Sequence, residues 1–439
     1  MSLYRVGTAN TYNATISRIN QRTTELAQTQ EKLAAGKRVL RATDDPVAAT
    51  LAERESNRMQ RVQADLRALE RSRSTLEQAE STLGDAVDVL HRVKELVVQA
   101  GNTHLTDSDR ASIASELRGL RDQLLNLSNA QDSEGNALFG GLGVLNSLGQ
   151  PFADVYGTTS DVQFQAIGGQ AAATDVGLPN RVDGQFTFMR NMTGNGAFVV
   201  QHNSGNLNVA TGSVVDAGLV STQVLPLDPA AAVQGRYMLE VSEDASTVPS
   251  HLMLSVTRYD KKANVADPDV TTLVQTVDLG QYVSGKAISL SNVSVQFEGL
   301  QVTLNGSAAP GSELQLNPSE PDDLFATLER AIDAIADTTQ SNGGAHLTQE
   351  LGRVHEELAT GLDRVLLVRG KLGEWLQRAE TTDSQLQNKE MAHEKAISNL
   401  TDLDMVQGIS DFESQQTGLQ AALQSYAQVQ KLSLFQYIA

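Results

Sequence analysis

The side chains of this sequence that are best suited to chemistry are its seven histidines, and none of them has the spacing of a zinc-binding motif. The segment His355-Glu356-Glu357 begins like a metalloprotease helix. Ala359, however, stands where such a helix carries its second histidine. The pattern therefore predicts a solvated helix face rather than a metal centre.

Other candidate motifs also favour structural roles. The glycine-rich run Gly140-Gly141-Leu142-Gly143 follows a predicted helix, where a loop is expected, and it lacks phosphate-loop spacing. The carboxylate pairs Asp44/Asp45 and Glu356/Glu357 are sequence neighbours, and neighbours in a helix point to different sides. These pairs fit helix caps and surface positions better than acid–base catalysis. The sequence therefore predicts no catalytic residue, no metal, no cofactor and no enzyme.

Composition narrows the class of protein further. The 439 residues carry a net charge of −19, which argues against nucleic acid as a partner. The chain contains no cysteine, which excludes disulfides and thiolate chemistry. No apolar stretch approaches a membrane span, and the N-terminus lacks the apolar core of a secretory signal. We expect no membrane insertion, and either a cytosolic location or export without a cleaved signal peptide.

The two ends of the chain carry matching apolar seams. Steps of four and three residues place side chains on one stripe of a helix, which is typical of a coiled coil. The N-terminal seam is Tyr12, Ile16, Ile19, Thr23, Leu26, Gln30 and Leu33, and the C-terminal seam is Met405, Ile409, Phe412, Gln416, Leu419, Leu423 and Tyr426.

Charge supports pairing of these two arms. Residues 1–41 hold seven basic and two acidic residues, whereas residues 400–439 hold one basic and four acidic residues. Opposite charges favour packing of the arms against each other, or against neighbouring copies of the chain. Two solvated helix faces are the alternative interpretation. As packing residues we predict Ile16, Ile19, Leu26, Leu33, Ile409, Phe412, Leu419, Leu423 and Tyr426.

The periodicity predicts an α + β fold. A long antiparallel helical bundle, formed by the N- and C-terminal segments and ending in coiled-coil arms, carries an inserted antiparallel β domain. We predict an N-terminal arm over 1–42, bundle segments over 43–145 and 321–398, a β domain over 146–320 and a C-terminal arm over 399–439.

Alternation between apolar and polar residues predicts the strands of the insert. The alternating runs are Val162/Phe164, Phe186/Phe188, Tyr237/Leu239/Val241, Leu252/Leu254/Val256 and Val293/Val295/Phe297.

A turn joins the N-terminal arm to the next helix. Thr43, Asp44 or Asp45 can cap that helix, with Pro46 at a first-turn position where its missing N–H costs nothing. We predict that this turn sets the angle between the arm and the long helix.

Several motifs, in their order along the chain, resemble the bacterial flagellin family. They are Lys32-Leu33-Ala34-Ala35-Gly36-Lys37-Arg38-Val39, Ala42-Thr43-Asp44-Asp45-Pro46, Val93–Ala100, Leu138-Phe139-Gly140-Gly141, Asp402-Leu403-Asp404, Gln415–Ala422 and Leu432–Ile438. Flagellins usually have alanine after the two aspartates. Pro46 instead resembles the hook-associated members, which join the hook to the filament. The resemblance covers about 1–140 and 320–439, but not the β insert.

The resemblance implies a structural subunit of the bacterial flagellum, used in motility. It implies secretion through the flagellar type III apparatus without a cleaved signal, and self-assembly outside the cell. The implied partners are flagellin filament subunits, the first hook-associated protein, copies of the chain in a ring, and a cytoplasmic export chaperone on the C-terminal arm. The alternatives are a flagellin filament subunit, a non-flagellar secreted coiled-coil adhesin or effector, and an enzyme site hidden in the outer domain.

Overall fold

The computed structural model describes most of the chain. The described residues are 8–102, 104–145, 149–154, 162–169, 177–217, 234–246, 248–261, 270–336 and 345–438. The first seven residues of the predicted N-terminal arm lie outside them, as do the last residue of the C-terminal arm and several segments of the predicted β insert.

Helices occupy both ends of the sequence, and strands occupy its middle. The helices are α1 Thr8–Ala35, α2 Pro46–Ala100, α3 Asp107–Ser128, α4 Leu324–Ala336, α5 Ala345–Thr401 and α6 Met405–Ile438. Thr106 begins α3 with a capping box, in which its side chain accepts from the Asp109 amide while the Asp109 carboxylate accepts from the Thr106 amide.

The described strands lie between α3 and α4, and every pair of them is antiparallel. They are β1 Gly143–Val144, β2 Phe152–Asp154, β3 Val162–Phe164, β4 Ala166–Ile167, β5 Asn191–Met192, β6 Phe198–Ser204, β7 Asn206–Val214, β8 Gln234–Asp244, β9 His251–Lys261, β10 Val270–Gln281, β11 Ile288–Phe297, β12 Leu300–Ala308, β13 Glu313–Pro318 and β14 Pro321–Asp322.

The larger strands form two sheets. One has the order β10-β9-β8-β13-β6 and the other the order β11-β12-β7. Tyr237, Leu239 and Val241 of β8 are buried, as are Leu254 and Val256 of β9, because alternate residues of a strand face the same side. The α + β fold and these strands are confirmed.

The chain divides into two compact units. The terminal unit contains the residues up to Glu70 and those from Glu380 onward, and the central unit runs from Arg71 to Ala379. This division falls inside α2 and α5, so it follows different boundaries from the five segments expected from the sequence. Those five segments remain a prediction.

The predicted strand at Phe186/Phe188 is wrong, because Gln185–Met189 forms a π-helix. The Asp183 carboxylate accepts from the Phe186 amide at 3.1 Å, and the Thr187 hydroxyl donates to the Asp183 carbonyl at 2.7 Å. These local bonds turn the backbone into a helical path.

The π-helix places an aromatic ring in the core of the helical part. Phe188 is fully buried, and its ring lies 5.4 Å from that of Phe139, 5.6 Å from that of Phe152 and 6.4 Å from that of Phe325. Three segments that are distant in sequence therefore share one aromatic cluster.

The predicted solvated face at residues 355–357 is also wrong. Glu357 is fully buried, whereas His355 and Glu356 are half-buried. Glu357 lies on the same helix stripe as buried Val354, which precedes it by three residues, and buried Gly361, which follows it by four. Burial raises the pKa of the Glu356 carboxyl and lowers that of the His355 imidazole.

Removal of the central aromatic ring should destabilise the central unit. We expect Phe188→Ala to lower the free energy of unfolding by about 3–5 kcal/mol, because it leaves a cavity among three other rings. Chemical denaturation measures the change. Half-exposed Phe186→Ala is the control, and an equal loss in both variants would contradict the assignment of Phe188 to the core.

Candidate assembly site at the terminal arms

Helices α1 and α6 pack side by side within the terminal unit. The Thr29 hydroxyl donates to the Gln415 side-chain oxygen at 2.9 Å. Leu33 faces Gly408, and Arg22 faces Gly418. Contacts at later residues of α6 therefore involve earlier residues of α1, which shows that the two helices are antiparallel.

Two glycines of α6 lie at this contact. A Cβ atom at Gly408 would lie 3.1 Å from Leu33 Cδ2, which is shorter than an ordinary carbon–carbon contact. A Cβ atom at Gly418 would lie 2.5 Å from Arg22 Nη1, the end of a flexible side chain that can move aside. The predicted seam does not include these residues, although a glycine inside a helical pattern can have a packing reason.

The seam side chains are incompletely covered in the single chain. Half-buried side chains are Ile16, Ile19, Leu26, Leu33, Phe412, Leu419 and Tyr426. Ile409 and Leu423 are exposed, at 49% and 47% of their surface. The arms therefore meet, but their pairing leaves part of the apolar seam exposed.

Further exposed apolar side chains occur in the same unit. Val406 is 81% exposed beside the seam, and Val47 and Leu51 are 68% and 42% exposed in the first turns of α2. The seam pattern does not include these residues. They are visible in the sequence only as apolar residues near a helix start.

The end of α1 is set by Gly36, whose φ of +67° lies in the left-handed region. Its amide donates to the Leu33 carbonyl at 3.3 Å, and the Lys37 amide donates to the Lys32 carbonyl at 3.1 Å. This pair of bonds is the Schellman motif, which satisfies the last carbonyls of a helix.

The chain then pairs with the start of the C-terminal arm. The amides of Arg38 and Val39 donate to the Thr401 carbonyl at 2.7 and 3.2 Å, and the Leu403 amide donates to the Gly36 carbonyl at 3.0 Å. We call this pairing of residues 36–39 with residues 401–403 the crossing. It joins the connection between α1 and α2 to the connection between α5 and α6. The Arg38 guanidinium adds bonds to the Leu400 carbonyl at 2.9 Å and to the Asp45 carboxylate at 3.2 Å.

The two aspartates of the predicted turn have different roles. Asp45 caps α2, since its carboxylate accepts from the Ala48 amide at 3.0 Å with Pro46 at the first helical position. Asp44 accepts instead from the amides of Leu40 and Arg41, both at 3.0 Å, and so shapes the turn itself.

Hydrogen bonds lower the pKa of both carboxyl groups. For Asp44 the main donors are the Arg41 and Leu40 amides, and for Asp45 they are the Ala48 amide and the Arg38 guanidinium. Thr43 is exposed. That the turn sets the angle of the arm stays a prediction.

Among the described residues, no three histidine or acidic side chains lie together as a metal site would require. Over the same part of the chain, no helix is both long and apolar enough to cross a membrane.

Separate substitutions should distinguish the two aspartates. We expect Asp45→Ala to weaken the start of α2 by about 1 kcal/mol, the usual value of a helix cap, and to speed amide exchange at Ala48. Asp44→Ala should instead speed exchange at Leu40 and Arg41. Exchange measured by NMR or mass spectrometry checks both, and identical exchange patterns in the two variants would contradict the division of roles.

Comparison with known proteins places the chain among flagellar proteins. The bacterial flagellin N-terminal helical region matches residues 6–143, and the bacterial flagellin C-terminal helical region matches residues 356–438. Together they cover about half of the chain, and they flank most of the β region.

Two relatives and one solved structure extend the comparison. The chain is 24% identical to flagellar hook-associated protein 3 of Salmonella typhimurium, over 98% of this chain and 99% of the relative. It is 24% identical to a flagellin of Shigella flexneri, over 77% of this chain but 53% of the relative.

The crystal structure of hook-associated protein-3 from Legionella pneumophila has the same fold, with a TM-score of 0.64 and 23% identity over 79% of this chain and 98% of that chain. The chain belongs to the bacterial flagellin family and is similar along nearly its whole length to hook-associated protein 3 of that family.

Proposed function

We propose that this chain is a structural subunit of the bacterial flagellum that joins the hook to the filament. The observation that carries the proposal is the alignment of the whole chain with the whole of a hook-associated protein 3. The flagellin of Shigella flexneri aligns over 53% of its own length, so the size and order of segments fit the hook-associated protein better.

The terminal arms supply the means of assembly in this proposal. Ile409 and Leu423 expose about half of their surface although they lie on a seam whose neighbours are partly covered. Covering such apolar side chains is favourable by roughly 25 cal/mol per Å² of surface removed from water. Arms of neighbouring subunits would provide that cover, and the role requires packing rather than catalysis.

The partners follow from a junction role. Flagellin filament subunits would meet the chain on one side and the first hook-associated protein on the other, with copies of the chain forming a ring between them. The location would be the hook–filament junction outside the cell, reached without a cleaved signal peptide. A cytoplasmic export chaperone would cover the C-terminal arm α6 before export.

A flagellin filament subunit is the alternative role within the family. A filament protein extends a filament from its own copies, whereas a junction protein stops after a limited ring. Purified chain incubated with filament seeds separates the two roles, since elongation by this chain alone would favour the alternative.

The C-terminal seam provides the direct test of the proposed function. We expect the double variant Leu419→Asp/Leu423→Asp to fold but not to assemble, because an unpaired carboxylate buried in an interface costs several kcal/mol. Cells carrying it should lose swimming and release flagellin into the medium. Motility assays and immunoblots of the medium measure both effects.

The matched control places the same two charges elsewhere on α6. Gln420 and Gln424 are exposed and lie off the seam, so Gln420→Asp/Gln424→Asp should swim. Normal swimming by the seam variant would refute the assembly role of the C-terminal arm.

A further inference from the structure

The chain enters and leaves the larger β sheets through one narrow connection. We call this connection the root ribbon: residues 191–194 on the way in and 320–322 on the way out. Asn191 pairs with Asp322, Met192 pairs with Pro321, and the Thr193 amide donates to the Glu320 carbonyl at 3.0 Å. A ladder this short is not stable on its own.

One buried carboxylate of α5 holds the incoming strand. Glu357 is fully buried, and its Oε1 atom accepts from the Gly194 amide at 2.9 Å. Its backbone carbonyl accepts from the Asn191 side-chain amide at 2.8 Å. The Thr360 hydroxyl donates to the same Asn191 side chain at 2.9 Å. The incoming strand is therefore fastened to one turn of α5.

The same carboxylate is linked to the outgoing strand through an arginine of α4. Arg330 contacts Glu357 Oε2 through Nη2 at 2.5 Å and Asp322 through Nη1 at 2.5 Å. Arg353 lies 3.6 Å from Glu357 Oε1 and pairs with Glu350 at 2.9 Å. Charge-assisted bonds of this kind are stronger than neutral ones. Both strands of the root ribbon and both helices thus meet at Glu357.

The surrounding packing leaves little room for movement. A Cβ atom at Gly361 would lie 2.2 Å from Leu324 Cδ2 and 3.4 Å from the Asn191 side-chain nitrogen. Helices α4 and α5 therefore approach closely beside the root ribbon. The larger sheets also contact α5 at two points outside the root ribbon. The Gln349 side-chain oxygen accepts from the Val209 amide of β7 at 2.7 Å, and the His202 ring of β6 lies 5.8 Å from the His346 ring.

We propose that Glu357 is a positioning residue that locks the root ribbon to α4 and α5, so that the larger β sheets and the helices of the central unit move as one rigid body. The ribbon has two paired residues on each strand, and Glu357 is bonded to one strand directly and to the other through Arg330. Without this carboxylate the ribbon becomes a hinge. The lock belongs to the chain itself and does not depend on its place in the flagellum.

The absence of cysteine makes the test direct. Asp363 in α5 and Thr276 in β10 are both exposed. Spin labels attached to Asp363→Cys and Thr276→Cys report the distance between the helices and the sheet by pulsed electron paramagnetic resonance. We expect one narrow distance distribution in the full chain with Glu357 present. With Glu357→Ala the distribution should broaden at least twofold, and exchange of the Gly194 amide should rise at least tenfold.

A second variant separates the lock from general stability. Glu357→Ala leaves the positive charge of Arg330 buried without its carboxylate, so the variant could unfold for that reason alone. The double variant Glu357→Met/Arg330→Met is made in an Asp322→Asn background, because Arg330 also pairs with Asp322. It removes both charges of the Glu357–Arg330 pair and retains bulk, and buried ion pairs often tolerate such replacement. It should keep the far-ultraviolet circular dichroism and melting of the full chain while the distance distribution broadens.

The matched control is Glu350→Gln, which breaks the pair with Arg353 on the same helix but leaves Glu357 in place. Its distribution should stay narrow. A narrow distribution and a protected Gly194 amide in the folded double variant would overturn the lock. That result would leave the proposed junction function standing, because motility and assembly are measured independently of these labels.

Discussion

The architecture depends on bringing the two ends of the chain together. Residues 36–39 and 401–403 are joined by backbone hydrogen bonds although they are more than 360 residues apart in sequence. From this crossing, α1 and α6 run as an antiparallel pair, while α2 leaves and α5 arrives. The two short connections at which these four helices begin or end are therefore held side by side.

Residues that end or begin helices flank the crossing. Gly36 ends α1 through its left-handed backbone, and Asp45 begins α2 by capping it. Asp404 caps the start of α6, since its carboxylate accepts from the Val406 and Gln407 amides at 3.0 and 3.2 Å. Short connections with satisfied backbone groups hold their geometry better than long loops. A defined start of each arm follows from this.

The arms themselves are less complete than the rest of the chain. The core of the central unit contains fully buried Leu83, Leu117 and Leu328, whereas the seam side chains from Ile16 to Leu33 and from Met405 to Tyr426 are half-buried or exposed. Helical stability in proteins comes chiefly from packing, so arms that are half covered are marginal by themselves. Such a design suits a subunit whose final contacts come from its neighbours.

Local patterns in the sequence were enough to predict the frame of this fold. Pro46 and Gly36 mark helix ends that the structure places at those residues, and the seams identify the two arm helices. Strands such as Tyr237/Leu239/Val241 follow from simple alternation.

Features that depend on distant partners could not be predicted in this way. Glu357 is buried because Arg330 and the Gly194 amide meet it, and no local pattern contains that information. Phe186 and Phe188 alternate like a strand, yet hydrogen bonds to Asp183 accompany a π-helix, and Phe188 packs near the distant ring of Phe325. The roles of Gly408, Gly418 and Arg38 likewise depend on residues of the opposite chain end.

We propose that neighbouring subunits complete the two arm helices. Amide hydrogen exchange over residues 8–35 and 405–438, measured on the free chain and on isolated flagella containing it, tests this proposal. We expect fast exchange in the free chain and at least tenfold slower exchange in the flagella, with little change over residues 76–100. Equal protection of the arms in a confirmed monomer and in flagella would contradict it.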